Sequence, residues 1–277
     1  MSRKSPKESA TIYEQHTLKL GLDGNVWGNF PVGKSLRWIK LCDANRNGRF
    51  SNINLKTIDS IRKKQQFFYA GEIDVTKTLG IGDTIAYELK KFGSGKYYIY
   101  RYDQNLVASK RKLSNIDALY KKKFSLTYNV TCDFGTFSFY DYAYIPKYST
   151  FMKKNKLFDY AMFSIPYKNV QKVKDVDIIK QKNMSYPIPL TNKKITKEKK
   201  KEENITKEKY RTEIFGNDSE KTTIIAGRNY FGDGIFPILT DDTNTIVIQC
   251  GYFHSDVVIS MMRVIEKKED TIQMLVR

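Results

Sequence analysis

The feature that most constrains the fold is a repeated alternation of short strand-like segments and tight turns between residues 17 and 145. Segments such as Asp83–Leu89 and Lys96–Tyr102 alternate apolar and polar side chains, and the glycine-rich turn Phe92–Gly95 separates these two. A period of two places successive side chains on opposite faces, as in a half-buried strand. The pattern predicts a mostly β fold, a β-sandwich or open barrel of antiparallel strands, with a few short helices.

Composition divides the chain into four parts. Residues 1–12 are polar and predict a flexible N-terminus. Residues 13–145 form the first part of the β-rich domain, and residues 212–277 contribute its C-terminal strands. Between them, residues 146–211 mix prolines with a Lys/Glu-rich stretch at 191–211, so we expect an irregular insertion there.

Helices are predicted in three places. Leu55–Lys64 is one, and Ser114–Lys122 is another, since Ser114 is a suitable N-cap with Asp117 three residues later. A short helix is expected over Thr150–Tyr160 within the insertion. Near the C-terminus, Val257–Glu266 is predicted to be a strand.

Residues 28–35 match the phosphate-loop pattern G-x-x-x-x-G-K-[ST]. A phosphate loop joins a buried parallel strand, a nearly continuous apolar run, to a helix. Here Thr17–Trp27 alternates polar and apolar residues, and Leu36–Cys42 is too short and too β-like for that helix. We therefore predict a turn between two strands and keep a nucleotide hydrolase as an alternative. Its nucleotide-binding residues would be Gly28, Gly33, Lys34 and Ser35.

The formal net charge of +18 favours a polyanionic partner. However, Lys, Asn, Ile and Tyr all have A/T-rich codons, so the composition also indicates an AT-rich genome, such as that of a protist or a large DNA virus of protists. Basic and aromatic residues alternate in one strand, as they would on a base-stacking surface, although a buried aromatic face gives the same pattern. The nucleic-acid-binding candidates are Lys96, Tyr98, Tyr100 and Arg101.

Histidines and cysteines give no metal or catalytic motif. The three cysteines lie far apart in apolar stretches and predict buried reduced thiols, and with two histidines no zinc spacing exists. His254 has Ser255 and Asp256 beside it, but a catalytic triad needs a nucleophile on a sharp turn, and no G-x-S-x-G occurs. We therefore expect no metal and no cofactor.

No run of 18 apolar residues and no secretory signal occurs, which predicts an intracellular protein without a membrane span.

Three segments contain glycines and aspartates, each in a pattern of its own. They are Arg228–Ile238, Cys132–Asp141, and Phe30–Lys34 followed by Cys42-Asp43. The three segments resemble domain-of-unknown-function family 4241 and occur along the chain in the order that the family has. In that family a G-D-G-x-Y/F-P-V hairpin, which Arg228–Ile238 resembles, precedes the last strand. The resemblance implies a mostly β fold and no established chemistry. The residues that it marks are Asp141, Gly232, Asp233 and Gly234.

Taken together, the sequence predicts a non-enzymatic binding or structural protein that engages a protein partner or forms a homo-oligomer. The alternative is a basic nucleic-acid-binding protein, as in a ribonucleoprotein or virion component. The hydrolase is a second alternative. The absence of paired catalytic carboxylates, metal ligands and a credible nucleophile underlies this choice.

Overall fold

The structure is a computed structural model. It describes residues 3–45, 49–62, 65–82, 85–132, 136–154, 170–173, 176–181, 222–228, 233–266 and 272–273. The strands are β1 (Thr17–Leu20), β2 (Val26–Val32), β3 (Ser35–Ala44), β4 (Phe50–Ser51), β5 (Phe67–Gly82), β6 (Ala86–Tyr102), β7 (Asn105–Ser109), β8 (Phe124–Cys132), β9 (Thr136–Asp141), β10 (Val170–Val173), β11 (Val176–Gln181), β12 (Ile224–Arg228), β13 (Gly234–Asp241), β14 (Ile246–Gln249) and β15 (Ile272–Gln273). The helices are a 3-10 turn (Ala10–Ile12), α1 (Leu55–Asp59), α2 (Asp117–Tyr120), α3 (Tyr144–Lys154) and α4 (Tyr252–Glu266).

The strands form two antiparallel sheets. The five-stranded sheet has the order β15-β1-β2-β3-β4, and the ten-stranded sheet has the order β10-β11-β12-β9-β5-β6-β7-β14-β13-β8. Among the described residues no ladder joins β10 to β8, so the large sheet is not a closed barrel. The predicted fold class, mostly β with antiparallel strands and few short helices, is confirmed.

The ten-stranded sheet curls strongly. Phe137 on β9 and Phe236 on β13 are five strands apart in the sheet order, yet their ring centroids are only 4.9 Å apart. A flat sheet with strands about 4.8 Å apart would separate them by about 24 Å. The sheet therefore wraps around a core that, among the described residues, consists of its own concave-face side chains, including Ile99, Leu106 and Val247. We call this the barrel core.

A second core lies between the two sheets and the helices. It combines Leu41 of the small sheet, Tyr102 and Ile248 of the large sheet, and Met261 of α4. Neighbouring residues of one strand serve different cores, since Ile246 and Ile248 enter this sandwich core while Val247 enters the barrel core. This follows from the two-residue period of a strand.

The turn predicted at the phosphate-loop match is confirmed. β2 and β3 pair as a hairpin in which Val32 lies opposite Ser35, and Gly33 has a φ of 62°. That left-handed conformation favours glycine in a two-residue hairpin turn. Neither a parallel strand nor a helix N-terminus flanks Lys34, so the segment does not have the phosphate-loop architecture.

The C-terminal strand prediction at Val257–Glu266 is wrong, because these residues belong to α4. The side chains of α4 that reach the core follow the i, i+4, i+5, i+8, i+11 spacing of one helical stripe. They are Phe253, Val257, Val258, Met261 and Val264. The aliphatic, β-branched composition favoured a strand, but the 3.6-residue period is the stronger signal.

The other helices differ from their predictions mainly in their limits. Helix α1 ends at Asp59 rather than at Lys64, and α2 begins at Asp117 rather than at Ser114. Helix α3 begins at Tyr144, six residues before the predicted helix at Thr150, and the part of that prediction beyond Lys154 lies outside the described residues.

Parts of the chain predicted to lack regular structure do contain it. Asn29 donates to the carbonyls of Ala10 and Tyr13, and Trp38 donates to that of Glu8, so residues 8–13 lie against the small sheet. The mobility of residues 1–12 stays a prediction. Within the insertion, β10 and β11 form a strand pair that joins β12. The Lys/Glu-rich stretch 191–211 lies outside the described residues.

Candidate functional site

Strand β6 separates the predicted nucleic-acid-binding residues onto two faces. Lys96, Tyr98 and Tyr100 share one face because they are two residues apart, whereas Arg101 points to the other. Arg101 is only 1% exposed and its Nε donates to the carbonyl of Asp103 over 2.8 Å. The prediction that Arg101 belongs to a surface site is therefore corrected, since its guanidinium lies inside the protein.

Strand β5 adds two aromatic side chains to the face that carries Tyr98. Tyr69 lies opposite Tyr100 in the β5–β6 register, and its ring meets that of Tyr100 edge-on at 5.6 Å. The ring of Phe67 stacks on that of Tyr100 at 5.1 Å. Tyr100 is buried at 3% exposure, while Tyr69 is 51% exposed. Tyr69 thus presents an aromatic ring to solvent at the end of a packed aromatic row.

Two lysines flank this row and differ in their partners. The Lys112 ammonium lies 5.5 Å from the centre of the Tyr98 ring, a cation–π geometry. The Lys96 ammonium instead pairs with Glu72 at 2.7 Å. The hydrogen bond from Lys96 lowers the pKa of Glu72, and partial burial, followed by the charge of Glu72, raises the pKa of Tyr69. We call Phe67, Tyr69, Tyr98 and Tyr100, with Lys96 and Lys112, the aromatic face.

The aromatic face offers stacking and electrostatic attraction rather than catalysis. The sequence pattern does not identify Tyr69 as a site residue, because the pattern along one strand does not reveal which residue of another strand lies beside it. Exposed rings next to cations are the groups with which proteins stack unpaired bases and attract phosphates. Glu72 and Asp74 add negative charge nearby, which reduces the positive field of the face.

A second cluster of polar side chains, most of them buried, lies where α1, α2, β6 and α4 meet. Asp59 at the end of α1 accepts from Nε2 of His254 at 2.7 Å and from the Tyr120 hydroxyl at 2.8 Å. The Tyr102 hydroxyl also donates to Asp59 and lies 3.0 Å from the same histidine nitrogen. His254 lies in the first turn of α4.

Asn105 fixes the tautomer of His254. Its Oδ1 accepts from the Gly251 amide at 2.6 Å, so its NH₂ group is the one that faces Nδ1 of His254 at 3.0 Å. Nδ1 must then accept, and the ring proton resides on Nε2, where it donates to Asp59. We call Asp59, Tyr102, Asn105, Tyr120 and His254 the histidine network.

The histidine network is closed to substrates. Asp59, Tyr102 and His254 are 3%, 0% and 2% exposed. Burial, and then the Asp59 carboxylate, raise the pKa of Tyr102 well above its ordinary value, so this hydroxyl keeps its proton and donates. Acid–base catalysis needs the groups within reach of a substrate. The network instead links five elements, α1, β6, β7, α2 and α4, some of them distant in sequence.

Three of the residues marked by the family resemblance lie at the end of β9 or at the start of β13. Asp141 is buried and accepts from the amide and hydroxyl of Thr76 at 2.9 and 2.6 Å. It also accepts from the Ala143 amide at 3.1 Å, so it ties the end of β9 to β5. Asp233 is exposed directly before β13, and Gly234 pairs with Cys132. Gly232 lies outside the described residues.

Among the described residues, no group of three or more histidine, cysteine, aspartate or glutamate side chains is placed to hold a metal ion. Cys42, Cys132 and Cys250 are buried thiols, as predicted, and burial raises the pKa of the Cys42 thiol to about 12. No helix in the described part of the chain is long and apolar enough to cross a membrane.

Comparison with known proteins gives one distant relative. The chain is 28% identical over 173 residues to "Uncharacterized protein R608" of Acanthamoeba polyphaga mimivirus, an alignment that covers 60% of this chain and 67% of the relative. The relative comes from a large DNA virus of a protist, which fits the origin inferred from composition. No family model matches, so membership of family 4241 stays a prediction. No solved structure matches.

Proposed function

We propose that the chain is a non-enzymatic binding protein and that its aromatic face binds single-stranded nucleic acid. The observation that carries this proposal is the 51% exposure of Tyr69 at the end of a packed aromatic row, with Lys112 beside it. A large aromatic ring held by its neighbours on a rigid strand loses little freedom on stacking against a base.

The charges around the face support the same ligand class. Lys112 follows β7 by three residues, is exposed, and lies over the Tyr98 ring, whereas Lys110 lies over Tyr97 on the opposite face of β6. The whole chain carries +18, which attracts a polyanion at long range. The aromatic rings favour unpaired bases over a duplex, because a duplex already stacks its bases internally.

The buried histidine network supports the non-enzymatic part of the proposal. It is the described cluster that most resembles catalytic machinery, since it combines a histidine with a carboxylate at 2.7 Å. Its histidine and carboxylate are hydrogen-bonded within the protein and are 2% and 3% exposed, so they serve stability.

Fluorescence anisotropy with a labelled single-stranded RNA and DNA across a salt series tests the proposal. Tyr69→Ala should weaken binding by about 1–3 kcal/mol, the usual value of one stacked base. Lys112→Ala should reduce the magnitude of the slope of log K against log[salt] by about 0.7. Ile235→Ala removes a similarly exposed apolar side chain on β13, and Lys34→Ala removes one exposed charge; both should leave binding unchanged.

Other outcomes favour other functions. Absence of binding at low salt, or an equal loss in Tyr69→Ala and Ile235→Ala, contradicts the nucleic-acid proposal. Concentration-dependent association in sedimentation velocity would then favour the homo-oligomer predicted from the sequence. Binding of ATP that Lys34→Ala abolishes would restore the hydrolase alternative.

A further inference from the structure

The curled sheet leaves a seam where its edges approach each other. β6 pairs with β7 only through Tyr98–Tyr102, and no described strand pairs with the same edge of its first half. That first half lies near β8, the last strand of the sheet, because the Tyr87 hydroxyl and the Thr131 hydroxyl are 2.8 Å apart. Tyr87 and Thr131 thus join the two strands at one point of the seam.

Away from this contact the seam contains a pocket of about 230 Å³. Leu89 and Phe92 of β6 and Tyr128 of β8 line it. Leu89 and Phe92 belong to the barrel core, and Tyr128 packs against that core. The pocket therefore enters the apolar interior of the curled sheet, where an apolar ligand group would be removed from water.

The rim of the pocket is positively charged. Lys90 and Lys91 line it and are exposed, and neither forms an ion pair with a described residue. Glu88 also lines the pocket, but its carboxylate accepts from the Thr78 hydroxyl at 2.9 Å, on the β5 side. An anionic group above the apolar walls would therefore meet two available ammonium groups.

We propose that this seam pocket binds a small carboxylate with an apolar body. The pocket volume of about 230 Å³ is that of a site for a small ligand. That size fits a medium-chain fatty acid, whose carboxylate would lie between Lys90 and Lys91 while its chain contacts Leu89, Phe92 and Tyr128. A pocket below the usual ligand-site range of about 300–1,000 Å³ argues against a larger ligand.

Isothermal titration calorimetry with octanoate tests this site, with octanol as the uncharged comparison. Octanoate should bind saturably at millimolar concentrations, and octanol should bind about tenfold more weakly because it lacks the charge that the lysines recognise. The double variant K90A/K91A should lose about the same tenfold in octanoate affinity. The charge-matched double variant K34A/K56A, at two exposed positions elsewhere, should bind as the parent does.

A pocket-filling variant tests the location. Thr127 lines the pocket and is exposed, so Thr127→Trp can occupy the space without replacing a core residue. Circular dichroism should show parental folding while octanoate binding is lost. Unchanged octanoate binding in Thr127→Trp, equal affinity for octanol and octanoate, or no saturable binding by the parent would each overturn the proposal. None of these outcomes bears on the aromatic face, which lies on the other face of the sheet.

Discussion

The histidine network and the aromatic face both contain tyrosines from the same side of β6, but these tyrosines differ in how far other elements cover them. Tyr102, Tyr100 and Tyr98 are two residues apart on β6, and all three face the sandwich-core side of the sheet. Tyr102 is covered by α1 and α4 and hydrogen-bonds to Asp59. Four residues earlier, Tyr98 is only partly buried and has Lys112 above its ring.

This difference indicates that the helices packed over β6 decide whether a tyrosine on this strand stabilises the fold or stays accessible. Where helices close over the sheet, the hydroxyl needs a buried acceptor, and Asp59 supplies it. Where no described helix covers the sheet, a ring such as that of Tyr69 remains exposed and is available for a ligand. The comparison predicts large effects on stability at one end of the strand face and small effects at the other.

The largest effect is expected for Asp59→Ala. The substitution leaves the Nε2 proton of His254 and the hydroxyls of Tyr102 and Tyr120 without their acceptor in a buried site. Each unsatisfied buried group costs about 1–3 kcal/mol, so we expect a loss of about 3–5 kcal/mol in the free energy of unfolding. Urea denaturation followed by circular dichroism measures it.

The exposed Asp242 provides the matched control for this substitution. Asp242→Ala removes the same side chain from an exposed turn, and its effect should stay within about 0.5 kcal/mol. If Asp59→Ala lowered the free energy of unfolding no more than Asp242→Ala does, the histidine network would not stabilise the fold.

A smaller loss is expected for Tyr102→Phe. This change removes the hydroxyl that donates to Asp59 but keeps the ring that packs edge-on against His254 at 5.2 Å. One hydrogen bond to a charged acceptor is worth about 1.5–3 kcal/mol, and two other donors to Asp59 remain, so we expect about 1.5 kcal/mol.

Tyr120→Phe sharpens this measurement, since Tyr120 donates to the same carboxylate from a partly exposed position and should cost less. If Tyr120→Phe lowered the free energy of unfolding more than Tyr102→Phe does, burial would not set the strength of these hydrogen bonds. The double variant should lose more than the sum of the single variants, because Asp59 would keep a single donor.

The sequence predicted several local features of this fold, although the turn predicted at Phe92–Gly95 is wrong because β6 runs through these residues. The alternation of Lys96–Tyr102 correctly predicted a strand, and the glycine at position 33 correctly predicted a hairpin turn. Both signals lie within a few neighbouring residues. The strand prediction at Val257–Glu266 is wrong. The β-branched residues there favour a strand, but the spacing of the apolar positions is that of the helix α4.

The sites depend on contacts that the sequence pattern does not contain. Asp59 and His254 are 195 residues apart, and neither lies in a recognisable motif. Tyr69 joins Tyr100 only through the β5–β6 register, which itself shifts between Tyr69 and Gly71. The burial of Arg101 follows from the curl of the sheet, and a strand pattern cannot indicate which of its two faces the curl encloses.

The smallest effect on stability is expected for Tyr69→Ala, at the open end of the comparison. Its ring is half exposed, and its hydroxyl makes only a long 3.4 Å contact with Glu72, so truncation should cost less than about 1 kcal/mol. Tyr100→Ala, on the neighbouring strand, removes a ring that is 3% exposed and should cost about 3 kcal/mol or more. Thermal denaturation of the two variants side by side measures the contrast. Equal losses would show that Tyr69 supports the fold as Tyr100 does, and the availability of its ring for a ligand would then lose its physical basis.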